Sequence, residues 1–239
     1  DVEERDQYNT IITSSVQKPH VAYTVASFKN KGLDSSMAAA YFPDVVVKDP
    51  STGTLVQVPP SVAVLGAYSL NDRVAYPWFA PAGFTRGALG AVENTAVKLN
   101  RTNLDDLYES SINPIAEFPG AGLIIWGQKT LQAASTSLDR VNVRRMLIEV
   151  RRKVRQVANS FIFEPLKEAA LADFKDKVSP ILQKIKEKQG VARYKIVIDT
   201  STTTQADIDN NTIRGIIWVQ PIGVAEFMSI DFTLDNLGS

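Results

Sequence analysis

FPGAGLIIWGQKT, residues 118–130, holds two glycines, an apolar run, a third glycine and a lysine–threonine pair. If its backbone wraps phosphate at the head of a helix, the protein is a nucleotide-driven α/β enzyme; if it is a strand between turns, the chain is built around a sheet. A phosphate-binding loop of the Walker type needs glycine, four residues, then Gly-Lys-Ser/Thr in direct succession. Here Gln128 separates Gly127 from Lys129, and the four residues between Gly122 and Gly127 are Leu-Ile-Ile-Trp. Those bulky apolar side chains suit a buried strand and not a flexible cradle. The stretch therefore reads as a strand between turns, with no nucleotide role.

Outward from it, the chain has the means to build a real core. At 239 residues and 44% apolar composition it can form one large domain or two modest ones. No apolar run approaches the roughly 20 residues of a membrane-spanning helix, and the first residues do not resemble a signal peptide. The absence of cysteine excludes disulfides, thiolate nucleophiles and thiolate metal sites. Net charge is zero but uneven: residues 140–193 carry 14 basic and 6 acidic side chains. Such asymmetry points to a partner surface of opposite sign without saying which.

Residues 1–30 mix charge with β-rich runs such as HVAYTVASF and read as loop and strand. Residues 44–58, DVVVKDPSTGTLVQV, read as a hairpin turning through Asp49-Pro50-Ser51-Thr52-Gly53. Ser61 is placed to cap a short helix over 62–70, and the proline- and glycine-rich stretch 76–90 to form a long packed loop. Asn103 can cap a short helix through LDDLYES.

In residues 137–161, Val143, Met146, Leu147, Val150, Val154, Val157, Ala158 and Phe161 recur at helical spacing and make one apolar stripe. Residues 164–190 continue as helix, with Pro165 suited to the first turn, Pro180 as an interruption and Gly190 at the end. RYKIVIDTS, TIRGIIWVQPI and AEFMSIDFTL are strands; the last sets Met228, Ile230, Phe232 and Leu234 against Ser229, Asp231 and Thr233.

Chemistry-bearing constellations are weak. Asp207, Asp209 and Asn211 occupy the first, third and fifth positions of a calcium loop, but Thr212 stands where glycine is needed and Trp218 where glutamate is needed. Asp105, Asp106 and Glu109 share one short helix and read as a solvated face. His20 is the sole histidine and has no identifiable nucleophile partner, so a hydrolase would have to be built on it alone. Seven basic residues over 140–155 against one glutamate leave three readings open: a solvated face, a protein partner, or a nucleic-acid-binding module. A pI near 6.8 and the lack of stacking aromatics weigh against nucleic acid.

The sequence resembles the tail sheath proteins of contractile phages and related contractile injection systems. The pieces that carry it are AYFPDVVVKDPSTG, VPPSVAVLGAY, WFAPAGFTRGAL, INPIAEFPGAGLIIWGQKTL, VNVRRMLIEV, FIFEP, TTTQADIDNN and AEFMSIDF, spanning roughly residues 35 to 233. Asn113-Pro114-Ile115, Pro119-Gly120, Trp126-Gly127 and Val141-Asn142-Val143-Arg144-Arg145 are the most specific. The chain departs from the family at Val224, where many members have proline before Ala-Glu-Phe.

The resemblance implies a mixed α/β fold, α+β-like, with a largely antiparallel sheet flanked by helices. It implies a central sheath region over 1–132 (with 1–30 weakly matched) and a C-terminal conserved sheath domain over 133–239, as a core or C-terminal piece of a longer sheath protein. It further implies a structural, non-enzymatic subunit without cofactors, in a phage tail assembled in the host cytoplasm. Such subunits stack in hexameric rings and a helical polymer around the tail tube, with baseplate and tail terminator proteins as further partners and without nucleic acid or membrane insertion. Contraction drives the tube through the host envelope with no nucleotide consumed. Family members contact the tube through a C-terminal-domain helix, which here puts Lys175, Lys177, Lys184, Lys186 and Lys188 forward as tube-facing contacts. Terminal arms tie neighbours together by adding strands, which puts forward Phe227, Met228, Ile230, Phe232 and Leu234 as an inter-subunit strand; on the residues alone, 225–234 can equally close its own subunit's sheet.

Overall fold

The computed structural model describes residues 21–162, 168–199, 201–204, 214–223 and 226. The opening stretch lies at its centre. β5 (Ile112–Phe118) turns back antiparallel into β6 (Gly122–Ile125), pairing Ile115 with Ile125 and Phe118 with Gly122. Gly120 and Gly122 take φ of 77° and 75°, values open to glycine and costly for other residues, so these glycines make a turn. β1 (Ala40–Phe42) completes this sheet on the other side of β5, in parallel. Because alternate residues of a strand face opposite ways, β5 feeds two cores. Ile112 packs with Phe42, Leu107 and Leu131, whereas Ile115 packs with Val45, Val64 and Ile125.

The expected hairpin is present as β2 (Val45–Lys48) and β3 (Leu55–Val58), and β4 (Val92–Thr95) joins the free side of β2. At the hairpin turn Asp49 accepts hydrogen bonds from the Ser51 backbone N–H (2.8 Å), the Ser51 hydroxyl (2.8 Å) and the Thr52 hydroxyl (2.8 Å). These bonds, the Ser51 amide first, hold its carboxyl down at about 2. A depressed folded-state value stabilises the turn above the unfolded carboxyl value near ~3.9, and that contribution is lost as pH falls through about 2. An NMR titration of the Asp49 carboxyl should show this midpoint, and one near ~4 would mean that the turn bonds do not persist in solution.

Four local expectations are corrected. Residues 21–29 form helix α1 (Val21–Lys29), not strand: Val21, Thr24 and Phe28 are buried together at helical spacing against the β1–β5 core. Helix α2 runs Pro60–Val74, longer at both ends than 62–70. Pro60 sits in its first turn, where a fixed φ is favourable and no N–H is needed, so the helix begins before Ser61, and no side chain caps it. The loop 76–90 contains one helical turn, α3 (Gly83–Arg86). Helix α4 (Arg101–Glu109) is capped by Asn100, whose side chain accepts from the Asn103 N–H at 2.8 Å while Asn103 returns the bond to the Asn100 N–H at 3.3 Å.

The third core joins α5 (Val141–Asn159), α6 (Glu168–Glu187), β7 (Val191–Val197) and β8 (Ile216–Pro221), the last two being an antiparallel pair. Val143, Met146 and Val150 of the expected stripe are buried here against Val178, Leu182 and Ile185, with Leu147, Val154 and Val157 packed at the margin. Helix α6 continues through Pro180, a further correction. The missing hydrogen bond and ring clash cost about 3 kcal/mol. Burial of Val178, Leu182 and Ile185, at about 1.5–3 kcal/mol each, offsets it. Trp78 also enters this core from the first half of the chain: its ring stacks on Tyr76 at 4.7 Å and its Nε1–H donates to the Lys188 carbonyl at 2.8 Å. The fold is thus mixed α/β, with one parallel pair (β1–β5) among otherwise antiparallel strands in the described residues.

Candidate functional site

The five lysines put forward on α6 and just beyond it are all exposed, and the structure divides them. At 3.6 residues per turn, Lys177, Lys184 and Lys188 fall on one flank of the buried Val178–Leu182–Ile185 stripe, and Lys175 and Lys186 on the other. The first three rim a groove of about 630 Å³ between α5 and α6, floored by Trp78, Val157, Ile181 and Ile185 and shared with Lys153 of α5. Lys177 is engaged by Asp173 at 2.8 Å and lies over the Phe161 ring at 4.6 Å. Lys184 and Lys188 have no ion partner among the described residues. Lys175 lies on the β7 side, where its charge helps to depress the Asp199 carboxyl behind the hydrogen bonds from Ser201.

Most of the basic residues of α5 and its leading Arg140 are already engaged. Arg144 donates to the Ser36 carbonyl at 3.2 Å and to its hydroxyl. Arg145 reaches both carboxylate oxygens of Asp72 at 2.7 Å and lies over the Tyr68 ring at 4.6 Å. Glu149 takes Arg152 at 2.8 Å and Lys153 at 3.2 Å. Arg151 and Arg155 alone in the 140–155 set have neither a hydrogen-bond nor an ion partner for their side chains among the described residues. A surface whose charges are spent internally is a poor phosphate track, and nothing supports the nucleic-acid alternative.

β7 and β8 pair only with each other among the described residues, so both outer edges of this sheet are open there. β8 exposes Ile216 and Trp218, with Lys195 of β7 over the Trp218 ring at 5.4 Å. The strand candidates Phe227, Met228, Ile230, Phe232 and Leu234 lie outside the described residues, as do His20, Pro165 and the DIDNN loop. Asp105, Asp106 and Glu109 are exposed on α4.

A cluster that the sequence did not single out gathers around Glu226. One carboxylate oxygen accepts from Arg140 Nε at 2.8 Å and from Gln128 Nε2 at 3.2 Å, and the other accepts from the Tyr108 hydroxyl. Arg140 also meets Asp139 at 3.0 Å. The Tyr108 hydroxyl is pushed up to about 12, by burial first and then by its bond to Glu226. Lys129 donates to the Tyr108 carbonyl at 2.9 Å and sits 3.9 Å from its ring; burial, then Arg140 nearby, lowers its pKa. The signal in the sequence was parity: Glu226 falls in register with Met228, Ile230, Phe232 and Leu234, a charge on an otherwise apolar face.

No family model matches the chain. The tail sheath protein of Vibrio phage KVP40 is 32% identical over 175 residues, covering 73% of this chain and 26% of the relative. That of Enterobacteria phage T4 is 27% identical over 182 residues, covering 76% and 28%. Among solved structures, the anti-feeding prophage baseplate matches with a TM-score of 0.78 at 21% identity, over 97% of this chain and 65% of that one. The contracted sheath complex of the extracellular contractile injection system PVC matches at 0.77 and 23% identity, over 93% and 62%. The fold is the tail-sheath fold. The chain spans about a quarter of the length of the curated sheath proteins it matches. Within this sheath fold Gly120, Gly122 and Gly127 are scaffold: a Cβ on Gly127 would stand 2.8 Å from Asn113 Oδ1.

Proposed function

We propose that the chain is the conserved part of a contractile tail sheath subunit, a mechanical and non-catalytic component of a phage tail. Copies stack in rings and a helical polymer around a tail tube, bounded by baseplate and terminator proteins, after assembly in the host cytoplasm. Contraction then carries the tube through the host envelope. The observation that supports this most is the identity to phage tail sheath proteins over 73% of the chain. The contracted sheaths that share the fold agree with it. We assign 1–132 to a central region and 133–239 to a C-terminal domain; the third core draws mainly on residues 138–219, with Tyr76, Trp78 and Phe79 reaching in.

On this reading residues 225–234 serve as the inter-subunit strand, adding to an open sheet edge of a neighbouring copy, and among the described residues the β7–β8 pair offers edges of the required kind. About six backbone hydrogen bonds at ~0.5–1.5 kcal/mol each would hold such a tether through a rigid-body rearrangement. The test is electron microscopy of the full natural protein co-expressed with the tube protein of the same genome. Sheathed tubes are expected; bare tubes beside monodisperse protein would overturn the assignment.

Tube contact falls to the α6 lysines, and their division into two flanks sharpens it. A rigid tube surface meets one flank at a time, and the groove flank gathers Lys153 with Lys177, Lys184 and Lys188 along one rim. Exposed ion pairs of about 0–1 kcal/mol each, screened by salt, suit a contact that must be released. Reversing Lys177, Lys184 and Lys188 to glutamate is expected to abolish co-sedimentation with the tube at low salt, while reversing Lys175 and Lys186 leaves it intact. Normal co-assembly of both variants would remove α6 from the tube interface.

A further inference from the structure

We propose that Glu226 is a clamp: it fixes the chain at residue 226 against the folded body. Three separate parts of the chain converge on this one carboxylate: Tyr108 at the end of α4, Gln128 after β6, and Arg140 at the entry to α5. All three are donors, and between them they use both carboxylate oxygens. The Glu226 side chain is 18% exposed and that of Arg140 27%. Water therefore competes weakly with these bonds, and charge-assisted hydrogen bonds of this kind are the strong ones.

The surroundings also disfavour release. Lys129 and Arg140 are half-buried cations, and Asp139 and Glu109 are the other anions acting on Lys129. Withdrawing Glu226 takes from Arg140 its shortest ion pair and leaves that guanidinium with Asp139 alone in a partly desolvated site, so the clamp resists opening. Burial first, and then Arg140, lowers the pKa of Lys129. Asn113 holds the backbone of Lys129 from beneath, which ties the clamp to the sheet. A pull on residues beyond 226 is thus received by α4, the strand end after β6 and the start of α5 together. In its consequence for a polymer this rests on the sheath assignment; as a property of the subunit it does not.

The test compares wild type, Glu226→Gln, Tyr108→Phe and the exchanged pair E226R with R140E, each in the full chain. Hydrogen exchange of the peptide spanning 222–230 is expected to rise about tenfold or more in Glu226→Gln, with peptides from 143–150 unchanged. The exchanged pair should restore part of the protection. Spectrophotometric titration, with Tyr108→Phe to assign the transition, should show Tyr108 ionising at lower pH in Glu226→Gln than in wild type, because its bond to Glu226 adds to burial in raising it. Tyr108→Phe, lacking one hydroxyl, should raise exchange by a smaller factor and keeps the test open if Glu226→Gln does not fold. Wild-type exchange in both single variants would overturn the clamp. With sheaths as the second readout, Glu226→Gln should fold but form fewer or shorter polymers. If the wild type itself fails to polymerise with its tube, the sheath assignment fails while the exchange result still judges the clamp.

Discussion

Asn113→Ala is expected to lower stability by about 3 kcal/mol or more, seen as a fall in the urea midpoint at unchanged slope. Asn113 is fully buried and serves three backbone groups. Its Nδ2 donates to the Ala40 carbonyl at 3.0 Å and the Lys129 carbonyl at 2.8 Å, and its Oδ1 accepts from the Lys129 N–H at 2.6 Å. It thus ties β1 and β5, beside their own ladder, to the segment after β6, which lies beyond the end of the β5–β6 ladder. Each orphaned buried group costs about 1–3 kcal/mol, and alanine orphans all three. The Asn-Pro-Ile and Trp-Gly pairs of the sequence are two halves of this one contact, since Gly127 leaves the room in which Asn113 Oδ1 sits. A loss below about 1 kcal/mol would mean that these groups find other partners, and the joint would not be what holds the centre together.

Trp78→Ala is expected to cost about 3–5 kcal/mol, the range for removing a large buried aromatic. The ring fills the third core beside Ile185 and closes against Gly190, where an added Cβ would lie 3.0 Å from it. Its Nε1–H also satisfies the carbonyl of Lys188 just past the end of α6. Trp78→Phe separates the two contributions, keeping an aromatic ring and losing the donor, with an expected cost of about 1–2 kcal/mol. Equal losses in the two variants would assign nearly everything to the hydrogen bond. Thermal or urea unfolding monitored by far-UV circular dichroism measures both.

The elements that could be read directly were those whose periodicity and local chemistry agreed. The stripe of α5 buried Val143, Met146 and Val150 because a helix facing a core on one side repeats at that spacing. The hairpin at Asp49–Gly53 followed from turn chemistry that leaves the backbone little choice. α1 was misread because Val21, Thr24, Val25 and Phe28 are β-branched or aromatic, and tertiary packing against Phe42 and Leu107 overrode that preference. Pro180 was given too much weight for the same reason: the core residues on either side of it outweigh one lost bond. For the candidate site, exposure of the lysines was legible, but their split into two flanks needed to know which face of α6 is buried. The Glu226 cluster was not legible, because its donors stand 86 to 118 residues away in sequence and meet only through the fold.

Buried polar side chains stand beside all three cores. Asn113 ties β1 and β5 to the segment after β6, Thr130 donates to the Leu138 carbonyl at 2.9 Å, and Asn142 donates to the Trp78 carbonyl at 3.2 Å at the third core. Apolar contacts are indifferent to small sliding, whereas hydrogen bonds weaken steeply as their angle opens. A body jointed in this way is stiff in shear. Force entering at one end would move it as a single lever instead of being dissipated in slip between its layers.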